Sequence, residues 1–192
     1  MDKTMKKLLT LSLFSFLFFF GCNQDSEILL PVEESSDQQN KLISLPTPTG
    51  GLSIETIYSF TEVISGELGG TFYNYFSYEG GLFGDVWVVS TLVFPPNSFT
   101  GNKDITKTYN TDYATMEYGP SMSFNEPVLC NLLYYGLDLT GINPETVRFV
   151  YIRNDGTIVD CEYESLTVNV ASGLLYVTNA QLNHFLRYGF VN

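Results

Sequence analysis

Few residue types that carry chemistry occur in this chain of 192 residues, and they are widely spread. His184 is the single histidine, so a Ser–His–Asp site would have to use it with a serine from a loop. No Gly-x-Ser-x-Gly turn accompanies it, and its position at the end of a terminal strand pattern reads as structural. One histidine with Cys130 and Cys161 makes no zinc spacing. Asp160, Glu162 and Glu164 alternate along one strand face. Calcium ligands usually converge from loops, so these three read as a solvated face. Phe72, Tyr73, Tyr75 and Trp87 form a possible ligand platform of the kind on which a sugar ring stacks. The competing reading is core and edge packing, because aromatic side chains are the main core filler in a chain so rich in them. No residue set here implies a cofactor or a metal.

The elements that must position these residues are strands. Hydrophobic residues make up 44% and aromatic residues 15% of the chain, enough for a core, while Thr, Tyr and Gly are abundant and charges few. That composition suits a pleated surface. Thr71 to Tyr78 places Phe72, Phe76 and Tyr78 on one face, with Tyr73 and Tyr75 on the other. Asp85 to Phe94 is a near-continuous apolar strand ended by Pro95-Pro96. Asp104 to Ala114 reads as a further strand or two. Phe124, a lone large apolar residue, reads as a core plug, and Pro127 sits where a strand begins.

Val128 to Tyr135 follows as a strand, with Val128, Cys130 and Leu132 inward and Leu129, Asn131, Leu133 and Tyr135 outward. Val147–Arg153 and Thr157–Tyr163 flank the turn signal Asn154-Asp155-Gly156. Along the second of these, Val159, Cys161 and Tyr163 face in. Leu166–Val170 and Leu174–Thr178 make one more hairpin. Short strands with frequent turn signals and no sustained helical spacing predict an all-β, antiparallel β-sandwich. The inward positions of Cys130 and Cys161 suit either a disulfide or two buried thiols, since export removes the barrier to oxidation.

Export itself is written at the start. Lys3, Lys6 and Lys7 precede an uncharged run from Leu8 to Phe20. That run fits the signal-peptide core of about 7–15 residues and falls short of the ~20 that span a bilayer. Phe19-Phe20-Gly21-Cys22 resembles the lipobox of bacterial lipoproteins, with Phe19 where leucine is usual. The resemblance implies cleavage after Gly21, acylation of Cys22, and a protein held to a membrane of the bacterial cell envelope, facing periplasm or exterior. Residues 1–21 are then the signal peptide. The net charge of −12 becomes more negative once the three lysines and Asp2 of that segment are removed. Such a chain repels nucleic acid and is not drawn to a membrane by basic attraction, so the anchor must be lipid. Residues 22–49 read as the acylated cysteine and a flexible tether, dominated by Asn, Gln, Asp, Glu and Ser, without an apolar residue from Glu33 to Asn40, and stiffened by Pro46 and Pro48. The globular part is then 50–192.

Four blocks in the globular part occur in a telling order: Gly69-Gly70-Thr71-Phe72, Leu92-Val93-Phe94-Pro95-Pro96-Asn97-Ser98-Phe99, Tyr118-Gly119-Pro120 with Phe124 to Val128, and Asn183-His184-Phe185. This order resembles the ZU-five domain, the β-sandwich named for zonula occludens proteins and netrin receptors. The resemblance implies an interaction module without a cofactor. Some relatives cleave themselves within a His-Phe-Ser tripeptide. Here the tripeptide is His184-Phe185-Leu186, which lacks the nucleophile, so no self-cleavage is expected. The sequence therefore predicts a non-catalytic, lipid-anchored binding or scaffold module. The alternative is a carbohydrate-binding surface lipoprotein that serves glycan uptake.

Overall fold

The computed structural model describes residues 41–49 and 57–192. Cys22, the signal segment and most of the tether lie outside the described residues. What is described is a β-sandwich of eleven strands in two antiparallel sheets. In chain order the strands are β1 (Ile57–Ser65), β2 (Gly70–Gly81), β3 (Gly84–Phe94), β4 (Asn102–Asn110), β5 (Thr115–Gly119) and β6 (Ser123–Tyr135). They continue with β7 (Arg148–Ile152), β8 (Ile158–Asp160), β9 (Ser165–Asn169), β10 (Leu174–His184) and β11 (Arg187–Val191). One sheet has six strands in the order β1-β4-β5-β11-β7-β8. The other has five, in the order β2-β3-β6-β10-β9. Among the described residues no helix is long and apolar enough to cross a membrane.

The alternation expected of β2, β3 and β6 is present. Phe72, Asn74 and Tyr78 of β2 are buried, as are Val86, Val88, Ser90, Leu92 and Phe94 of β3 and Val128, Cys130, Leu132 and Tyr134 of β6. Their neighbours in sequence face out, because successive side chains of a strand point to opposite sides. Pro127 sits in a register break between the pairs Leu182↔Val128 and His184↔Ser123, where a missing N–H costs no ladder bond. The Gly119–Pro120 peptide is cis.

The four sequence blocks converge on one aromatic cluster. Phe185 is fully buried and stacks on Tyr118 with ring centroids 5.0 Å apart. It meets Phe124 at 4.7 Å and Phe94 at 6.1 Å, both edge-on. Phe99 closes the group against Phe94 at 6.0 Å. Gly69, at φ +73, lies so close that a Cβ there would meet the Phe94 carbonyl oxygen at 2.3 Å. The Phe124 plug is thus present, and the blocks together fix the packing of strand ends.

Three expectations need correction. The tether does not extend to residue 49. Ile43 and Leu45 are buried, Leu42 bridges to Val191, and Ser44 bridges to Tyr113. The Ile43 amide donates to the Phe190 carbonyl at 3.1 Å, and the Ile43 carbonyl accepts from the Ala114 amide at 2.8 Å. The apolar residues of Leu42-Ile43-Ser44-Leu45 offset the ordering cost that the polar residues before them cannot. Secondly, the strand expected over Thr157–Tyr163 stops at Asp160. The chain then crosses from the six-stranded sheet to the five-stranded one: the Cys161 amide still donates to Phe149 of β7, whereas the Glu162 carbonyl accepts from Gln181 and the Glu164 amide donates to Thr178, both of β10. Val159, still within β8 and opposite Tyr151, is exposed rather than inward. Thirdly, the chain after His184 adds a strand, β11, inserted centrally between β5 and β7.

The cluster gives a stability test. Phe185→Ala is expected to cost about 3–5 kcal/mol, read as a lowered urea midpoint without loss of cooperativity. An unchanged midpoint would mean the cluster does not hold the fold.

Candidate functional site

The outward face of the five-stranded sheet carries the exposed aromatics. Tyr73 and Tyr75 on β2 are 56% and 60% exposed, and Trp87 on β3 and Tyr135 on β6 are each 42% exposed. They sit on one face because their strands are in register. Trp87 pairs with Ser77 on one side and Tyr135 on the other. Tyr75 pairs with Val89, which pairs with Leu133, which pairs with Tyr176. Tyr73 pairs with Thr91, itself opposite Asn131. The rings of Tyr73 and Tyr75 are 6.3 Å apart and tilted by 40°, so neither covers the other. Phe72 does not belong to this platform. It is buried on the opposite face of β2, with the Lys107 ammonium 4.1 Å from its ring centroid. The two-residue period of β2 sets it on the side opposite Tyr73 and Tyr75. Tyr135 joins the platform instead, and its outward position was legible from the alternation of β6.

A polar cleft of about 690 Å³ borders the same face. Leu129 and Gln181, paired across β6 and β10, form part of its wall. The rest comes from Arg148 and Phe149 of β7, Asp160 at the end of β8, the crossing segment after it and Asn179 of β10. Arg148 and Asp160 form an ion pair there, with Glu162 and Glu164 alongside. The three carboxylates expected to share a solvated face do stand exposed, and they also line this cleft. Asn179 connects cleft and platform. It adopts φ 47 at a bulge in β10, a conformation that asparagine tolerates. Its amide N–H donates to Asn131 Oδ1 at 2.9 Å, and its Nδ2 donates to Glu164 Oε2. Among the described residues no group of three His, Cys, Asp or Glu is placed to hold a metal ion.

His184 packs edge-on against Tyr151, with centroids 4.1 Å apart, and its own carbonyl accepts from the Tyr188 hydroxyl at 2.8 Å. Burial first, then Arg153, holds the imidazole pKa below the usual range. This is the setting of a packed ring.

Cys130 and Cys161 are both free thiols, so no disulfide joins them. Each sulfur has a partner of its own. Cys130 Sγ lies 3.1 Å from the Tyr118 hydroxyl inside the core. Cys161 donates to the Gln181 carbonyl at 3.3 Å, on the crossing segment. Burial pushes the Cys130 thiol up to about 11 and the Cys161 thiol up to about 12, so neither is a nucleophile at neutral pH.

Sequence reasoning missed the most unusual group. Lys107 of β4 is fully buried between the sheets. Its Nζ donates to the Phe72 carbonyl at 2.7 Å, Asn74 Oδ1 at 2.9 Å, Ser90 Oγ at 3.2 Å and the Ser90 carbonyl at 3.3 Å. Burial lowers its pKa to about 7, against opposing pulls from Cys130 and Glu62. One signal was available: Ile105, Lys107 and Tyr109 share an inward period in β4.

Comparison of the chain with family models, with curated proteins and with solved structures finds no match. The assignment of function therefore rests on the aromatic face and its cleft.

The thiol state is open to direct measurement. Denatured protein, never exposed to reductant, should yield Cys130 and Cys161 peptides fully alkylated. Native protein should leave Cys130 unlabelled on the same timescale, because its thiolate is scarce and shielded. A disulfide-linked peptide pair would contradict both free thiols.

Proposed function

We propose that this chain is a non-catalytic, lipid-anchored binding module of a bacterial cell envelope, and that its aromatic sheet face binds a neutral glycan strand. The observation that carries this reading is the outward set Tyr73, Tyr75, Trp87 and Tyr135 on one rigid sheet. Exposed aromatic rings on a soluble domain leave apolar surface in water unless a partner covers them. Flat rings with polar edges match the apolar faces of sugar rings. The adjoining cleft supplies what sugar hydroxyls need: Asn179, Gln181, a carboxylate row and Arg148. A net charge of −12 disfavours sulfated or uronic chains, which narrows the class to neutral glycans.

The lipobox-like Phe19-Phe20-Gly21-Cys22 supports the anchor, and the ZU-five-like order of blocks supports an interaction module rather than an enzyme. The packing of His184 against Tyr151 and the raised pKa values of both thiols support the same side.

Two experiments test the two halves. Glycan arrays and calorimetry on the full chain should show binding to neutral polysaccharide. Tyr73→Ala with Tyr75→Ala should weaken it by about tenfold or more, since each ring contact contributes on the order of 1 kcal/mol. No retained glycan, together with a protein partner lost in the same double variant, would replace the glycan by a protein ligand. For the anchor, labelling with a tagged fatty acid should mark the wild type and not Cys22→Ser. Equal labelling of both would remove the anchor from the reading.

A further inference from the structure

Between the two sheets, Asn74 of β2 and Lys107 of β4 face each other. Lys107 Nζ is 2.9 Å from Asn74 Oδ1. The Tyr109 hydroxyl donates to the same oxygen at 3.0 Å. Two donors converging on one atom identify it as the carbonyl oxygen of the carboxamide. The other end, Asn74 Nδ2, is buried with no hydrogen-bond partner. Native proteins rarely leave a buried donor unpaired, and such a group calls for a reason. The lysine poses the same question from the other side. A buried ammonium is costly, and the hydrogen-bond partners of this one are all uncharged carbonyl and hydroxyl oxygens.

We propose that Lys107 and Asn74 are the two partners of an intramolecular amide bond that ties the sheets together covalently. The uncharged Nζ attacks Cγ of Asn74, and a new Nζ–Cγ bond forms as the carbonyl electrons move onto Oδ1. Tyr109 stabilises that oxygen through the hydrogen bond it already makes. One proton passes from Nζ to Nδ2. Ser90 Oγ, 3.2 Å from Nζ, accepts a hydrogen bond that holds the amine in place. The Cγ–Nδ2 bond then breaks, its electron pair leaves with nitrogen, and ammonia departs while Cγ=Oδ1 re-forms. One amine and one primary amide give one secondary amide and one ammonia. Nothing is oxidised or reduced, and no co-reactant is needed.

Three conditions favour the step. The amine must be uncharged, and burial that brings its pKa to about 7 leaves a large fraction so at neutral pH. The reacting atoms must be close. Cγ lies one C=O bond, about 1.2 Å, beyond the oxygen that Nζ already touches, so the fold holds nucleophile and electrophile near contact. Finally, the products must suit the site better than the reactants. The reaction removes the buried cation and the orphaned donor together, and leaves a neutral amide whose oxygen keeps Tyr109 as partner.

Peptide mapping of the full-length protein tests this without any variant. Trypsin cannot cut after an acylated lysine. The wild type should therefore give a branched peptide that joins the Asn74 segment to the Lys107 segment, lighter than the two together by one ammonia. Lys107→Met and Asn74→Ala should lack it. Tyr109→Phe removes only the hydroxyl, and should slow the appearance of the branched peptide in newly made protein by about tenfold or more. Free cleavage after Lys107, with an intact Asn74 peptide, would overturn the proposal. So would loss of ammonia confined to the Asn74 peptide alone, which marks a succinimide formed with Tyr75.

Discussion

The sandwich is organised around one lysine in a place where lysines seldom sit. Lys107 starts in the six-stranded sheet and ends among the carbonyls of the five-stranded one. A charge removed from water must find its hydration shell in the protein. Here the replacement shell is the Phe72 and Ser90 carbonyls, the Ser90 hydroxyl, the Asn74 carboxamide oxygen and the face of the Phe72 ring. All come from two adjacent strands, β2 and β3, in which Asn74 stands opposite Ser90. A slip of one residue in either strand would turn Asn74 or Ser90 outward and put Tyr73, Tyr75, Val89 or Thr91 in its place. The lysine therefore enforces the register of the sheet that carries the candidate site.

Apolar packing does the remaining work. The Phe94–Phe99–Phe124–Phe185 cluster joins the end of β3, the loop after it, the start of β6 and the end of β10. Residues 41–45 extend the core past the last strand, with Ile43 and Leu45 filling space beside Phe190 and Asp112. The fold thus closes on itself through a segment that precedes the first strand. An anchored N-terminus would pull first on this short docked stretch, and the Leu42–Val191 bridge and the mutual Lys41–Asn192 backbone hydrogen bonds would share that load.

Much of the architecture was readable because strand alternation is local. β2, β3 and β6 announce their faces residue by residue, and the inward Cys130 and outward Tyr73, Tyr75 and Trp87 follow from counting by two. What was not readable depends on distant partners. Lys107 lies in Thr106-Lys107-Thr108, where the alternation of β4 points it inward but does not say what could accept a buried ammonium. Only the carbonyls of another sheet make its burial tolerable. Residues 41–49 follow a polar stretch and contain two prolines, so composition assigned them to the tether, while their apolar pair Ile43 and Leu45 finds a site made by the far end of the chain. The cysteines sit at different depths, Cys130 buried beside Tyr118 and Cys161 half-buried on the crossing segment against Gln181. Alternation gives direction and not distance. The cleft was invisible for the same reason: Arg148, Asp160, Asn179 and Gln181 meet only because the chain changes sheets after β8.

The inner lock and the outer platform are two sides of the same strands. On β2, Phe72 and Asn74 hold Lys107 while Tyr73 and Tyr75, one residue along, face solvent. On β3, Ser90 faces Lys107 while Trp87 faces out. A strand fixed by buried hydrogen bonds cannot tilt or slide without breaking them, so the spacing of the outer rings is set by the core. That matters for the proposed glycan, whose apolar ring faces would stack on those rings. Its affinity comes from a few stacking contacts, and each ring that must be ordered on binding subtracts from them. A platform already held in place loses little in that way. Under the proposed function the expensive burial of Lys107 has a counterpart, because the rigidity it imposes on β2 and β3 also holds the face that carries the exposed aromatic rings.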